Sequence, residues 1–186
     1  MFPEMFNPAE EFAATAATYL DRKGGADHAG FWKFIEEGLK SLQADPYSKI
    51  RSGIVEALAR GPSPDQVSKP QWSAMLANAA RCDMVGPLLA RVTEKPRLKD
   101  ITPLLHIAIG IRFEGENCLW QGPISHGSIR QIADFMKKHE AVLGKSECAR
   151  LVKKLDPIVN GVASSPFQGR AELHDTFQTA FSGFRT

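Results

Sequence analysis

The chain has 186 residues, of which 43% are apolar and 24% charged, and its 23 basic and 21 acidic side chains leave a formal net charge of +2. That composition excludes a disordered chain, and the length makes one domain the expectation. So even a charge also argues against a surface built mainly for nucleic acid or an anionic membrane. Residues 1–50 hold five basic and eight acidic residues, and the remainder holds 18 and 13.

Apolar residues at a helical period dominate the pattern. Residues 8–22 align Phe12, Ala16, Tyr19 and Leu20, with Asn7-Pro8 as cap and first position and Gly24-Gly25 as the stop. Residues 28–44 follow Asp27 and align Phe31, Ile35, Leu39 and Leu42. A third helix over 46–60, opened by Asp45-Pro46, turns Ile50, Ile54, Ala57 and Leu58 inward and stops at Gly61. Residues 61–70 (GPSPDQVSKP) form a Pro/Gly connector, in which Ser63 and Gln66 have capping-box spacing for one short turn. Helices over 70–82 (Trp72, Leu76, Ala79, Ala80) and 84–94 come next.

Thr102-Pro103 is expected to open a short helix to Arg112, apolar nearly all round and therefore central. His106 inside it reads as a hydrogen-bonded core residue. Residues 113–127 (FEGENCLWQGPISHG) show no helical stripe and read as a long irregular loop. A helix over 128–143 aligns Ile129, Ile132, Met136 and Leu143. Another, capped by Ser146, carries Cys148, Leu151, Val152 and Leu155 and is expected to break at Asp156-Pro157. After a loop over 164–169, the last helix carries Leu173, Phe177, Phe181 and Phe184. No run of β-branched residues alternates far enough to predict a strand.

The expected fold is all-α, a single domain of about eight or nine helices of roughly 10–17 residues. Its helices are expected to pack as antiparallel pairs, as an irregular bundle or a short helical-repeat-like array, with the 61–70 connector between an N-terminal three-helix part and the rest. Residues 45–60 (DPYSKIRSGIVEALAR) resemble the first part of a HEAT-type repeat. Residues 102–108 (TPLLHIA) resemble the TPLHxA signature of ankyrin repeats with an extra leucine, and residues 73–91 echo an ankyrin helix pair 29 positions earlier. The 113–127 segment interrupts that period and the glycine-rich hairpin tips are missing, so neither family is assigned.

Cys82, Cys118 and Cys148 are odd in number and form no CxxC pair, which fits a reducing compartment. Residues 1–20 carry Glu4, Glu10 and Glu11 without a basic residue, unlike a signal peptide. The longest apolar run, 101–111, is too short to span a bilayer. The cytoplasm is the default location, with secretion through a non-cleaved signal left open.

Long irregular connections carry function more often than helices do. The 113–127 loop and the helix start after it gather Glu114, Glu116, Asn117, Cys118, Trp120, Gln121, Ser125, His126 and Arg130. Free N–H groups at that helix start, with Arg130 one turn in, suit a phosphate or carboxylate. Against this, Trp120 plugging the core and Ser125 or Ser128 capping the helix would make the segment a structural crossover. Cys118 and His126 suggest a nucleophile pair only if the imidazole reaches the sulfur. His28, His106, His126, His139 and His174 show no zinc-ligand spacing, and no phosphate-loop, dinucleotide or nucleophile-elbow motif occurs. The basic tract from Lys137 to Lys154 (Lys137, Lys138, Lys145, Arg150, Lys153, Lys154) reads first as a solvated face, with Lys137 and Lys138 offsetting a helix dipole.

The resulting expectation is a non-enzymatic helical module of adaptor, immunity, chaperone or effector type, without cofactor or metal. It binds another protein through loop 113–127 and the adjacent groove, using Glu114, Glu116, Asn117, Trp120, His126 and Arg130. The alternative is an enzyme or small-ligand binder using Glu114, Glu116, Cys118 and His126. A weaker alternative is phosphate or nucleic-acid contact through residues 137–154.

Overall fold

The structure, a computed structural model, describes residues 7–92, 94–163 and 170–185. Among them lie ten α-helices, a single two-stranded sheet and two 3₁₀ turns, so the fold is all-α apart from one hairpin. The expected loop over 164–169 lies outside the described residues. Contacts group the chain into two compact units, Met1–Asn78 and Ala79–Thr186.

The N-terminal unit is built on α1 (Pro8–Leu20), α2 (His28–Ala44) and α3 (Ile50–Arg60), followed by a 3₁₀ turn at Pro64–Gln66 and the first part of α4 (Lys69–Arg81). Asn7 caps α1 through the Ala9 N–H, and Asp27 caps α2 through the Gly30 N–H at 2.8 Å. The α2 stripe is buried as expected, with Phe31, Trp32, Ile35, Leu39 and Leu42 facing inward. Each such side chain contributes about 1.5–3 kcal/mol when taken fully out of water. Glycines set the helix approaches: a Cβ at Gly53 on α3 would fall 2.3 Å from the Ala9 carbonyl of α1, and one at Gly38 on α2 would fall 2.6 Å from the Phe12 ring. Helix α3 starts at Ile50 rather than at Pro46, because Asp45 accepts the Tyr47 N–H in a local turn instead of capping a helix.

The C-terminal unit contains the end of α4, α5 (Val85–Leu89), α6 (Leu98–Ile109), strands β1 (Ile111–Glu114) and β2 (Asn117–Trp120), α7 (His126–Lys138), α8 (Glu140–Leu143), α9 (Lys145–Ala163), α10 (Arg170–Ala180) and a 3₁₀ turn at Ser182–Phe184. Helix α7 is its hub, packing on α5, α6, α8 and α10 with Ile129, Ile132, Ala133 and Met136 buried. Helices α9 and α10 pair, and Phe177 of α10, Phe181 and Phe184 touch in series with tilted rings. Arg185 closes the chain on α9 by a two-pronged bond to Asp156.

Four sequence expectations need correction here. Helix α6 starts at Leu98, not Thr102, and α9 runs on through Pro157. At both prolines the carbonyl four residues earlier loses its donor, but Lys99, Pro103, Lys153 and Pro157 are all exposed, so those carbonyls stay near water. The expected helix over 128–143 is two, broken at His139. Finally, α6 ends at Ile109 because Gly110 adopts a left-handed cap (φ +81°), and the segment read as an irregular loop is a β-hairpin through Trp120. Only residues 121–125 remain without regular structure in that segment.

Candidate functional site

The hairpin follows from two glycines. Gly110 turns the chain out of α6, and the Gln121 N–H bonds back to its carbonyl at 2.8 Å, closing the base. A Cβ at position 110 would lie 2.6 Å from the Gly122 carbonyl, so the two ends cross too closely for a side chain. At the tip, Glu114 pairs with Asn117, leaving Gly115 and Glu116 as a two-residue turn. Gly115 has φ +63°, the left-handed value that such turns assign to glycine.

The pleat then sorts the side chains. Ile111, Phe113, Cys118 and Trp120 share one face, and Arg112, Glu114, Asn117 and Leu119 share the other. The first is the packed face: Ile111 is buried, and Phe113 meets His106 of α6 at a tilt, with centroids 4.9 Å apart, while Lys154 of α9 lies 5.2 Å over its ring. Trp120 stands at the margin of that face, 37% exposed. The other face is bare. Arg112 pairs with Glu114 along β1, and Leu119, 39% exposed, lies across from Arg112 on β2.

His106 is therefore half-buried and in tilted ring contact, not the hydrogen-bonded core histidine expected. Burial, and then the Lys154 ammonium, hold its imidazole below the ordinary histidine value. Cys118 sits against Phe113, and burial pushes its thiol up, away from the thiolate a nucleophile needs.

The helix start after the hairpin is not open. Ser125 occupies the cap position of α7 without capping it by its own side chain. The cap is Asp83, whose carboxylate accepts the Ser128 N–H at 2.8 Å and the buried Ser125 hydroxyl. Asp83 also terminates α4: it takes the left-handed position (φ +57°) usually given to glycine, and the next N–H, of Met84, returns to the Ala79 carbonyl at 3.0 Å. Gln131 fastens the same turn from α7, donating to the Asp83 carbonyl at 2.9 Å and accepting the Gly86 N–H of α5 at 2.8 Å. The expected anion seat at Ser125 to Ser128 is thus filled by the protein's own carboxylate.

His126 faces α10, with Nδ1 3.0 Å from the Thr176 hydroxyl and Nε2 3.8 Å from the Glu172 carboxylate. This hydroxyl–imidazole–carboxylate order resembles a relay, but Thr176 is buried in mid-helix and Glu172 is 78% exposed, so the contact serves to pin α10 on α7.

The six residues singled out from sequence thus fall into two groups. Glu114, Glu116, Asn117 and Trp120 belong to the hairpin, where the first three surround the tip. His126 and Arg130 lie one turn apart on α7, the former turned to α10 and the latter exposed. Asp83, Gln131 and Thr176 were missed; nothing near them in sequence announces a partner 42 to 50 positions away. The described residues contain no group of three His, Cys, Asp or Glu side chains able to hold a metal ion, and no helix among them is long and apolar enough to cross a membrane. Compared with known protein families, characterised proteins and solved structures, the chain matches none.

Proposed function

We propose that the chain is a protein-binding module that engages its partner through the bare face and tip of the 111–120 hairpin. The observation carrying this reading is that face itself: an exposed Leu119 among Arg112, Glu114 and Asn117, on a hairpin whose opposite face is packed. A lone two-stranded hairpin is marginal in water, and here Ile111 and Phe113 hold it in place. An exposed leucine beside an arginine, a glutamate and an asparagine suits a partner surface of mixed character. His126 and Arg130 then lie outside the contact, which narrows the set expected from sequence.

The test is to purify partners on immobilised wild-type chain and on Leu119→Arg, Glu116→Ala and Trp120→Ala variants whose helical circular dichroism is intact. A partner retained by wild type and lost to Leu119→Arg supports the reading. Equal retention by all variants overturns it. A thermal-shift screen against nucleotides, phosphates and metal ions addresses the small-ligand alternative, because a ligand at 100 times its Kd stabilises by about 2.7 kcal/mol.

A further inference from the structure

The C-terminal unit carries a second surface, away from the residues used above. A shallow cleft of about 400 Å³ is lined by Lys95, Pro96, Arg97, Leu98, Val142 and Leu143. Its apolar part comes from Leu98 at the start of α6 and from α8, whose Val142 is 43% exposed. The exposed Val142 and the half-buried Leu98 form a small aliphatic patch that burial against a partner would stabilise, Leu143 of the same lining being already buried.

The polar part of the lining is cationic and includes no carboxylate. Lys95 and Arg97 are both exposed; from outside the lining, Asp100 answers Arg97 at 2.7 Å and Glu94 adds a second negative charge near it. Arg97 is also the cap residue of α6 and makes no side-chain cap bond, so the positive end of a 12-residue helix adds to the field at the cleft. Along the chain, α8 carries the acidic Glu140 and is flanked by lysines outside the lining. Lys137 and Lys138 end α7 just before α8, and Lys145 begins α9 just after it.

The geometry points to a docking site for an acidic segment of a partner protein that carries an aliphatic anchor. The anchor packs on Val142 and Leu98, while its carboxylates face Lys95, Arg97 and the α6 start. Six lining residues are too few to enclose most of a small molecule's surface, as ligand pockets do. A nucleic-acid strand would answer the cations and leave the aliphatic patch uncovered.

Fluorescence anisotropy on the full chain tests this with a labelled short peptide of alternating glutamate and leucine. Controls are the same peptide with glutamine for glutamate, one with serine for leucine, and a single-stranded DNA oligonucleotide. The expected result is binding of the glutamate–leucine peptide alone, weakened at least about tenfold by Val142→Asp and by Lys95→Glu. Both side chains are exposed, and circular dichroism checks that the variants fold. Leu119→Arg should leave this binding unchanged, which separates the cleft from the hairpin reading. Equal binding of the serine peptide or the DNA, insensitivity to Val142→Asp, or no binding of the glutamate–leucine peptide would each overturn the proposal.

Discussion

Helices α2 and α7 solve the same problem by different routes. Each must satisfy the N–H groups of its first turn, and each does so with an aspartate. For α2 it is Asp27, the residue directly before the helix, reaching Gly30 three positions on. For α7 it is Asp83, reaching Ser128 from 45 positions earlier while also ending α4. A local cap closes a helix whether or not the rest of the protein is folded. A distant one exists only once tertiary structure has formed, and it then ties several elements together. Three carboxylate, amide and hydroxyl side chains thus make the α4–α5 turn and the α7 start one object.

The largest expected effect separates the two caps directly. Asp83→Ala removes an acceptor from the Ser128 N–H and leaves the buried Ser125 hydroxyl without it, so urea denaturation should show a loss of about 2 kcal/mol or more. Asp27→Ala should cost about 1 kcal/mol, the ordinary value of a local cap. Equal losses would mean that the distance between cap and helix is energetically irrelevant here.

Gly127→Ala sharpens the contrast through its sign. Alanine normally stabilises a helix over glycine by about 1 kcal/mol. At this position its Cβ would lie 2.6 Å from Asp83 Cγ, and the carboxylate is held on two sides. The substitution should therefore destabilise by about 1 kcal/mol or more. Combined with Asp83→Ala it should cost less than the sum of the two, because the carboxylate it collides with is gone and only the Cβ of residue 83, 2.9 Å away, remains.

The smallest effect concerns the hairpin, whose packing also joins residues distant in the chain. The folded His106 takes up a proton less readily than in the unfolded chain. Its contribution is fully present above the unfolded value of about 6.5 and is lost as pH falls from there toward the lower folded value. Denaturation midpoints should drop over that window, and His106→Gln should remove that part of the drop. Lys154→Met should bring the His106 titration, followed by NMR, back toward its ordinary value.

These contrasts also explain what was readable in the sequence. Asp27 and the Phe31, Ile35, Leu39 and Leu42 stripe define α2 from neighbours alone, and its observed bounds match the expected 28–44. The all-α class follows from such stripes. The hairpin was missed because IRFE alternates over only four residues and NCLW does not alternate at all, and because its stability comes from α6 and α9. Asp83 was missed because a lone aspartate after a helix looks like any turn residue. Within the candidate site, the polar make-up of residues 114 to 117 was legible; the hairpin that presents them, the sealed α7 start and the engagement of His126 with α10 were not.

Dual duty at one residue has a consequence for how the chain can diverge. Asp83, Ser125, Gly127 and Gln131 form a quartet in which each identity gives the next its reason. Glycine at 83 would suit the backbone of the turn equally well, yet it would orphan the hydroxyl and the amide on α7. Descendants of this sequence should accordingly keep or lose the quartet together, leaving a correlated signature across positions that no local motif connects.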